Sequence, residues 1–195
     1  ARALRARGEV YMATGNFDEA RPLLRRSGSM LEGKSTIEAP KLAYLSGVAA
    51  AHSEHLGAAE HWFKRGLEQF ENYGSHYGMA RCLNGIGEIA RQRGDHEDAE
   101  RYLERAARSA RLVETLALAD IEATRAQLSI EQGGFEDAYE ILQSVEYRLG
   151  TSWSAYNEAI CVSLMVCCEV ALGYWNSFES SLSRLYELLD ETSVI

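Results

Sequence analysis

Proline is scarce in this chain, with only 2 residues in 195, and no apolar run is long enough to cross a membrane. The most apolar stretch, 159–172, is broken by Ser163 and Glu169 and falls short of the roughly 20 residues a spanning helix needs. It reads as a core segment, and no membrane partner is expected. Four cysteines, three of them crowded at 161, 167 and 168, make no spaced disulfide framework and contain no Cys-x-x-Cys pair. They fit a reducing, cytoplasmic setting and a small-hydrophobe role in packing. Cationic side chains are few where they would have to be dense: residues 114–195 carry three Arg/Lys against fourteen Asp/Glu, while residues 1–35 carry seven against four. A net charge of -9 without a basic patch is ill suited to phosphate backbones, so no nucleic-acid partner is expected.

Motifs that carry chemistry are missing too. There is no glycine-rich phosphate loop, no Gly-x-Ser-x-Gly turn and no carboxylate pair that stands out from helical Glu. His52 and His55 lie one turn apart, and Glu60 or His61 lies beyond the next turn. His-Ser-Glu-His is nevertheless not the spacing that places two ligands and a base on one zinc-binding face. The reading is therefore of a non-enzyme with no cofactor and no metal. The chain also lacks an apolar leader and begins at Ala1, which reads as a piece of something longer.

What the chain has is a repeat. Gly94-Asp95-His96-Glu97-Asp98-Ala99 returns as Gly15-Asn16-Phe17-Asp18-Glu19-Ala20 and Gly133-Gly134-Phe135-Glu136-Asp137-Ala138, and more loosely around Ala59 and Phe178. The anchoring positions 20, 59, 99, 138 and 178 are spaced by 39 or 40 residues. A fixed period of this length is the mark of a solenoid, whose units bury their apolar faces on one another. On both sides of Gly94 the apolar residues recur at three- and four-residue steps, as in Leu83, Ile86, Gly87 and Ala90, then Ala99, Tyr102, Leu103 and Ala106. Each unit is thus a helical hairpin: glycine ends the first helix, and the acids after it suit the positive end of the second. Expected units run about 1–34, 36–73, 75–113, 115–149 and 151–191 of a single array over 1–195. Stop-and-cap signals stand between them at Ser35-Thr36-Ile37-Glu38, Gly74-Ser75 and Gly150-Thr151. On the second helix of the third unit, Arg101, Arg105, Arg108 and Arg111 form a stripe compensated by Glu97 and Glu104, so it reads as a solvated face.

The columns Leu4, Gly8, Tyr11, Ala20 and Leu24, repeated as Leu83, Ile86, Gly87, Ala99, Leu103 and Ala106, resemble the tetratricopeptide repeat. The period of about 40 residues, longer than is usual in that family, resembles the variants attached to bacterial ATPase-type transcription activators and kinases. The fifth unit departs from the pattern, with Val166 in the small column and Phe178 in the alanine column. The resemblance implies an all-α, right-handed solenoid of about five antiparallel hairpins whose first helices line a concave groove. Groove residues would include Arg5, Met12, Lys41, Tyr44, Arg81, Asn84, Glu88, Arg91 and Gln127. The implied function is a protein-interaction scaffold of a larger signalling or regulatory protein, holding a peptide or helix. An effector-sensing domain is the alternative, and a homo-oligomerisation module a third. For the last, Leu182, Leu185, Leu188 and Leu189 offer an apolar stripe on the last helix.

Overall fold

The computed structural model describes residues 1–31, 36–113, 117–149 and 155–192. Among the described residues the regular structure is helical throughout, as expected. In the first unit, Ala1–Thr115, six helices follow one another: α1 (Arg2–Ala13), α2 (Phe17–Ser29), α3 (Glu38–His52), α4 (Leu56–Asn72), α5 (His76–Gln92) and α6 (His96–Arg111). In the second unit, Leu116–Ile195, four follow: α7 (Ala117–Glu131), α8 (Phe135–Leu149), α9 (Ala155–Leu172) and α10 (Trp175–Thr192). Within each unit consecutive helices pack as hairpins, and each hairpin packs on the next.

The mid-hairpin turns all use one device. Gly15, Gly94, Gly133 and Gly173 have φ between 73° and 82°, the left-handed conformation that closes a helix without a Cβ penalty. The residue after each donates its N–H back to the carbonyl five residues upstream, as Asp95 does to Ala90 at 2.9 Å. In the second hairpin the same place is held by Glu54, at φ 59°, with His55 N–H on the Ala50 carbonyl at 2.9 Å. A non-glycine residue is strained in this region. Glu54→Gly is therefore expected to stabilise the protein by about 0.5–1 kcal/mol, seen as a higher midpoint in a thermal melt. A lower midpoint would show that the glutamate side chain has a stabilising role of its own.

Other punctuation is mixed. Ser75 caps α5, its hydroxyl accepting the Gly78 N–H at 3.4 Å. The α3 N-terminus begins after Ile37 with no side-chain cap, while Ser35 and the Gly150-Thr151 pair lie outside the described residues. Acids do occupy the first turns of α2, α6 and α8, against the positive helix ends.

The two repeated columns meet inside each hairpin. Ala20, Ala59, Ala99 and Ala138 are fully buried. A Cβ added at Gly8 would stand 2.9 Å from Leu24, and one at Gly87 would stand 2.8 Å from Leu103. The leucine sixteen residues downstream fills the space the glycine leaves. In the second hairpin Phe63 takes the leucine's place: it meets Gly47 of α3 on one edge and Gly85 of α5 on the other, at 2.6 Å from each hypothetical Cβ. In unit 2 the corresponding pair is Ala126 and Leu142, both fully buried.

Candidate functional site

With one face of each first helix spent on packing, the opposite face is what remains for a ligand. On α3, Leu42, Ala43, Ser46, Gly47, Ala49 and Ala50 are buried, which turns Lys41, Tyr44 and Val48 outward. On α5, Leu83, Ile86, Gly87 and Ala90 are buried, which leaves Arg81, Asn84, Glu88 and Arg91 as the other stripe at three- and four-residue steps. These two helices lie side by side in unit 1.

The stripes are organised by pairing. The Arg81 guanidinium lies over the Tyr44 ring, 4.1 Å from its centroid, and its Nη2 donates to the Tyr44 hydroxyl at 2.9 Å. A cation held on an aromatic face in this way is stabilised by about 0.5–2 kcal/mol. Two to three turns further along α5, Arg91 forks onto Glu88, with Nε to Oε2 at 2.9 Å and Nη2 to Oε1 at 2.6 Å, and its side chain is 9% exposed. Between these pairs sits Asn84. Its Oδ1 is buried and accepts no hydrogen bond among the described residues. An amide oxygen so placed lacks the donor that buried acceptors require, and leaving it unmet costs about 1–3 kcal/mol.

The other expected groove residues are used differently. Arg5 pairs with Glu9 at 2.7 Å and, through Nε, with Glu38 at 3.0 Å. It therefore ties α1 to α3 and is engaged inside the protein. Met12 is half-buried against the cluster of Ala20, Leu24, Leu42 and Ala49. Lys41 is exposed, and Gln127 lies half-buried on α7 of unit 2. The structure adds Tyr77, which is 46% exposed and whose hydroxyl accepts from Arg81 Nη1 at 3.3 Å. Its four-residue offset from Arg81 on one helix was the sequence signal for it.

On the C-terminal helix the expected leucine stripe is divided between core and surface. Leu188 is fully buried in unit 2 and Leu182 and Leu185 are half-buried, so only Leu189, at 46%, presents a large exposed area. Leu188 is consumed by the core because α10 folds back onto α9. The arginine stripe of α6 is locally compensated: Arg101 meets Asp98 at 2.9 Å, Arg108 meets Glu104 at 3.8 Å and Arg105 meets Glu71 at 3.9 Å. His52 stacks on Phe17, with centroids 4.1 Å apart, and His55 approaches Arg21 at 3.4 Å.

Four free thiols complete the inventory. Burial pushes Cys82 and Cys161 up to about 12 and Cys168 up to about 11, which keeps them protonated and unreactive near neutrality. Cys167 points outward, about a hundred degrees around the helix from the buried Cys168. A thiol reagent in mildly alkaline buffer is expected to label Cys167 alone in the native protein and all four cysteines after denaturation. Rapid native labelling of Cys82 or Cys161 would contradict the burial.

The architecture is a helical-repeat fold, with paired helices stacked on paired helices. Residues 39–111, the stretch from α3 to α6 that holds the candidate site, match the family model described as tetratricopeptide repeat. Solved structures extend the likeness over nearly the whole chain. One is a kinesin-light-chain-type protein of Podosopora anserina with nearly identical TPR-like repeats, at 12% identity and a TM-score of 0.70, covering 100% of this chain and 96% of that one. A second is a Rap protein complexed with Competence and Sporulation Factor, at 15% identity and a TM-score of 0.87, covering 96% of this chain and 53% of that one. A third is NprR in complex with its cognate peptide NprX, at 16% identity and a TM-score of 0.76, covering 95% of this chain and 58% of that one. The apo form of NprR is that of a quorum sensor from B. thuringiensis. At these identities the likeness is one of fold, and the chain spans little more than half of the Rap and NprR chains. No curated protein sequence matches the chain. Among the described residues no helix is long and apolar enough to cross a membrane.

Proposed function

We propose that this chain is a non-catalytic, cytoplasmic interaction module of a signalling or regulatory protein, which holds a peptide or helical segment of a protein partner against the α3–α5 face. The observation that carries the reading is the stripe in which the Tyr44–Arg81 and Glu88–Arg91 pairs flank the half-buried side-chain amide of Asn84. The side-chain amide of Asn84 can pair with a peptide main chain once its oxygen is turned toward the ligand, where that oxygen meets the donor it lacks within the protein. Tyr44 supplies an aromatic surface beside it, and Glu88 and Arg91 fix the orientation of a charged ligand. The fold shared with a Rap protein bound to Competence and Sporulation Factor and with NprR bound to NprX supports a peptide as the ligand class.

The same likenesses favour a second reading, in which the bound peptide is an effector that shifts the activity of an attached transcription-activator or kinase domain. An effector preferring one conformation must stabilise it. A thermal-shift screen of peptides and metabolites separates this reading from a plain scaffold, which gains stability only from its protein partner.

The binding claim is tested with peptides selected from a displayed library on the wild-type protein. Replacing Tyr44 and Asn84 together by Ala is expected to weaken those peptides about tenfold or more while leaving the helical circular dichroism unchanged. Undiminished binding by the double variant would remove the α3–α5 face as the site.

A further inference from the structure

Unit 1 has a second concavity, outside the α3–α5 stripes. Between the second helices α2 and α4 a half-open cavity of about 400 Å³ is lined by Asp18, Arg21, Pro22 and Arg25 of α2 and by Ala58 and Trp62 of α4. Ser46 and Ala50, from the packing face of α3, also line it. The small side chains Ala50 and Ala58 keep the space open. Trp62 gives one wall an indole, itself flanked by Arg65 at 5.3 Å from the ring centroid.

Two features identify what this cavity suits. The first is charge. Arg21 and Arg25 stand one turn apart on α2, and His55 approaches Arg21 at 3.4 Å. Asp18 is the only acid in the lining. It is shared between Arg21, at 3.6 Å, and the Ser53 hydroxyl, at 2.8 Å. Among the described residues Arg25 is exposed and has no ion pair, so the mouth carries uncompensated positive charge on a protein that is acidic overall. The second feature is the apolar wall made by Trp62, Ala50 and Ala58. Cationic donors beside an apolar wall match two parts of a peptide, side-chain carboxylates and an apolar side chain. A bare anion would use only the first.

We infer that the α2–α4 cavity is a docking site for an acidic peptide segment of a partner protein. An apolar side chain of the peptide fills the space against Trp62, Ala50 and Ala58, and its flanking carboxylates meet Arg21 and Arg25. The site is independent of the Asn84 face, so one module can hold two partner segments at once. Two linked contacts raise the apparent affinity of each through effective concentration, with no added contact.

The test is fluorescence anisotropy of a labelled Asp-Glu-Leu-Glu-Asp peptide, with Lys-Lys-Leu-Lys-Lys as its counterpart. The wild type is expected to bind the acidic peptide saturably at concentrations up to about 1 mM, weakening as salt is raised, and not to bind the basic one. Arg25→Glu and Ala58→Glu, both at exposed helix positions, are each expected to weaken it about fivefold or more, with circular dichroism unchanged. Asn84→Ala is expected to leave it unchanged. The inference is overturned by absence of saturable binding, by equal binding of Arg25→Glu and Ala58→Glu, or by loss on Asn84→Ala. That last outcome would place the acidic peptide on the α3–α5 face and leave the proposed function standing.

Discussion

Truncating Phe63 to alanine is expected to cost about 3–5 kcal/mol of unfolding free energy, among the largest single-residue effects in unit 1. Phe63 is 3% exposed, and its ring is edged by Gly47 of α3 and Gly85 of α5. Neither flanking glycine has a side chain that can swing in to fill the cavity, so the loss should fall at the upper end for an aromatic truncation. The same geometry makes the converse change costly. Gly47→Ala places a Cβ where Phe63 carbons stand at 2.6 Å, and the ring has no room to retreat because Gly85 closes its other edge. Overpacking of this kind costs about 1–3 kcal/mol. Combining Gly47→Ala with Phe63→Leu should cost less than the sum of the two, because the smaller side chain makes room for the new methyl. Urea unfolding followed by circular dichroism measures all three variants, and strict additivity would contradict the wedge. Phe63 also supports the candidate site, since its ring lies 5.8 Å from that of Tyr44. Peptide affinity should therefore fall in Phe63→Ala even below the denaturation midpoint.

In unit 2 the corresponding large effect belongs to a polar residue. Glu169→Ala is expected to destabilise the protein by about 2–4 kcal/mol. Glu169 of α9 is fully buried, and its Oε1 accepts from the Tyr139 hydroxyl of α8 at 3.2 Å and from the Ser181 hydroxyl of α10 at 3.0 Å. One oxygen thus joins three helices. Removing the side chain opens a cavity and takes the shared acceptor from both hydroxyls. Burial already holds the Tyr139 hydroxyl above its ordinary range. Oε2 has no partner among the described residues, so the site is only half satisfied. Glu169→Gln keeps the shape and the carbonyl acceptor, and is expected to stay within about 1 kcal/mol of wild type. A tolerated Glu169→Ala, with melting unchanged, would mean that the three helices are held by their apolar contacts alone. The apolar contribution is substantial: Leu142, Val145, Cys161, Met165 and Cys168 form one buried cluster.

Much of this framework could be read from spacing. The glycine column predicts the left-handed turn at 15, 94, 133 and 173, and the alanine column predicts the fully buried positions at 20, 59, 99 and 138. Both follow from backbone constraints that a single residue type satisfies. Glu54 shows the limit of that logic. Its neighbours impose the turn although its own side chain disfavours it. Glu169 is another case. In the sequence it is only an interruption of an apolar run, and its role depends on hydroxyls from two other helices. The family resemblance implied that Tyr44, Arg81, Asn84, Glu88 and Arg91 line a groove, but it could not say that Arg81 would lie on Tyr44 or that Asn84 would be left unmet. Those facts depend on the register of one hairpin against the next. The Arg5–Glu38 pair and the burial of Leu188 have the same origin, since each residue is claimed by a neighbour distant in sequence, Glu38 in one case and the core of unit 2 in the other. The α2–α4 cavity had no sequence signal, because it is a gap between helices and no motif marks a gap.

The assignment of binding to the α3–α5 face is most directly tested by amide hydrogen exchange of the protein, free and saturated with a library-selected peptide. Protection is expected in the helical segments that carry Lys41 to Val48 and Arg81 to Arg91, and it should disappear in Asn84→Leu while the buried amides around Leu83 and Ile86 remain slow. A footprint lying wholly outside α3 and α5, or one that survives Asn84→Leu, would contradict the assignment.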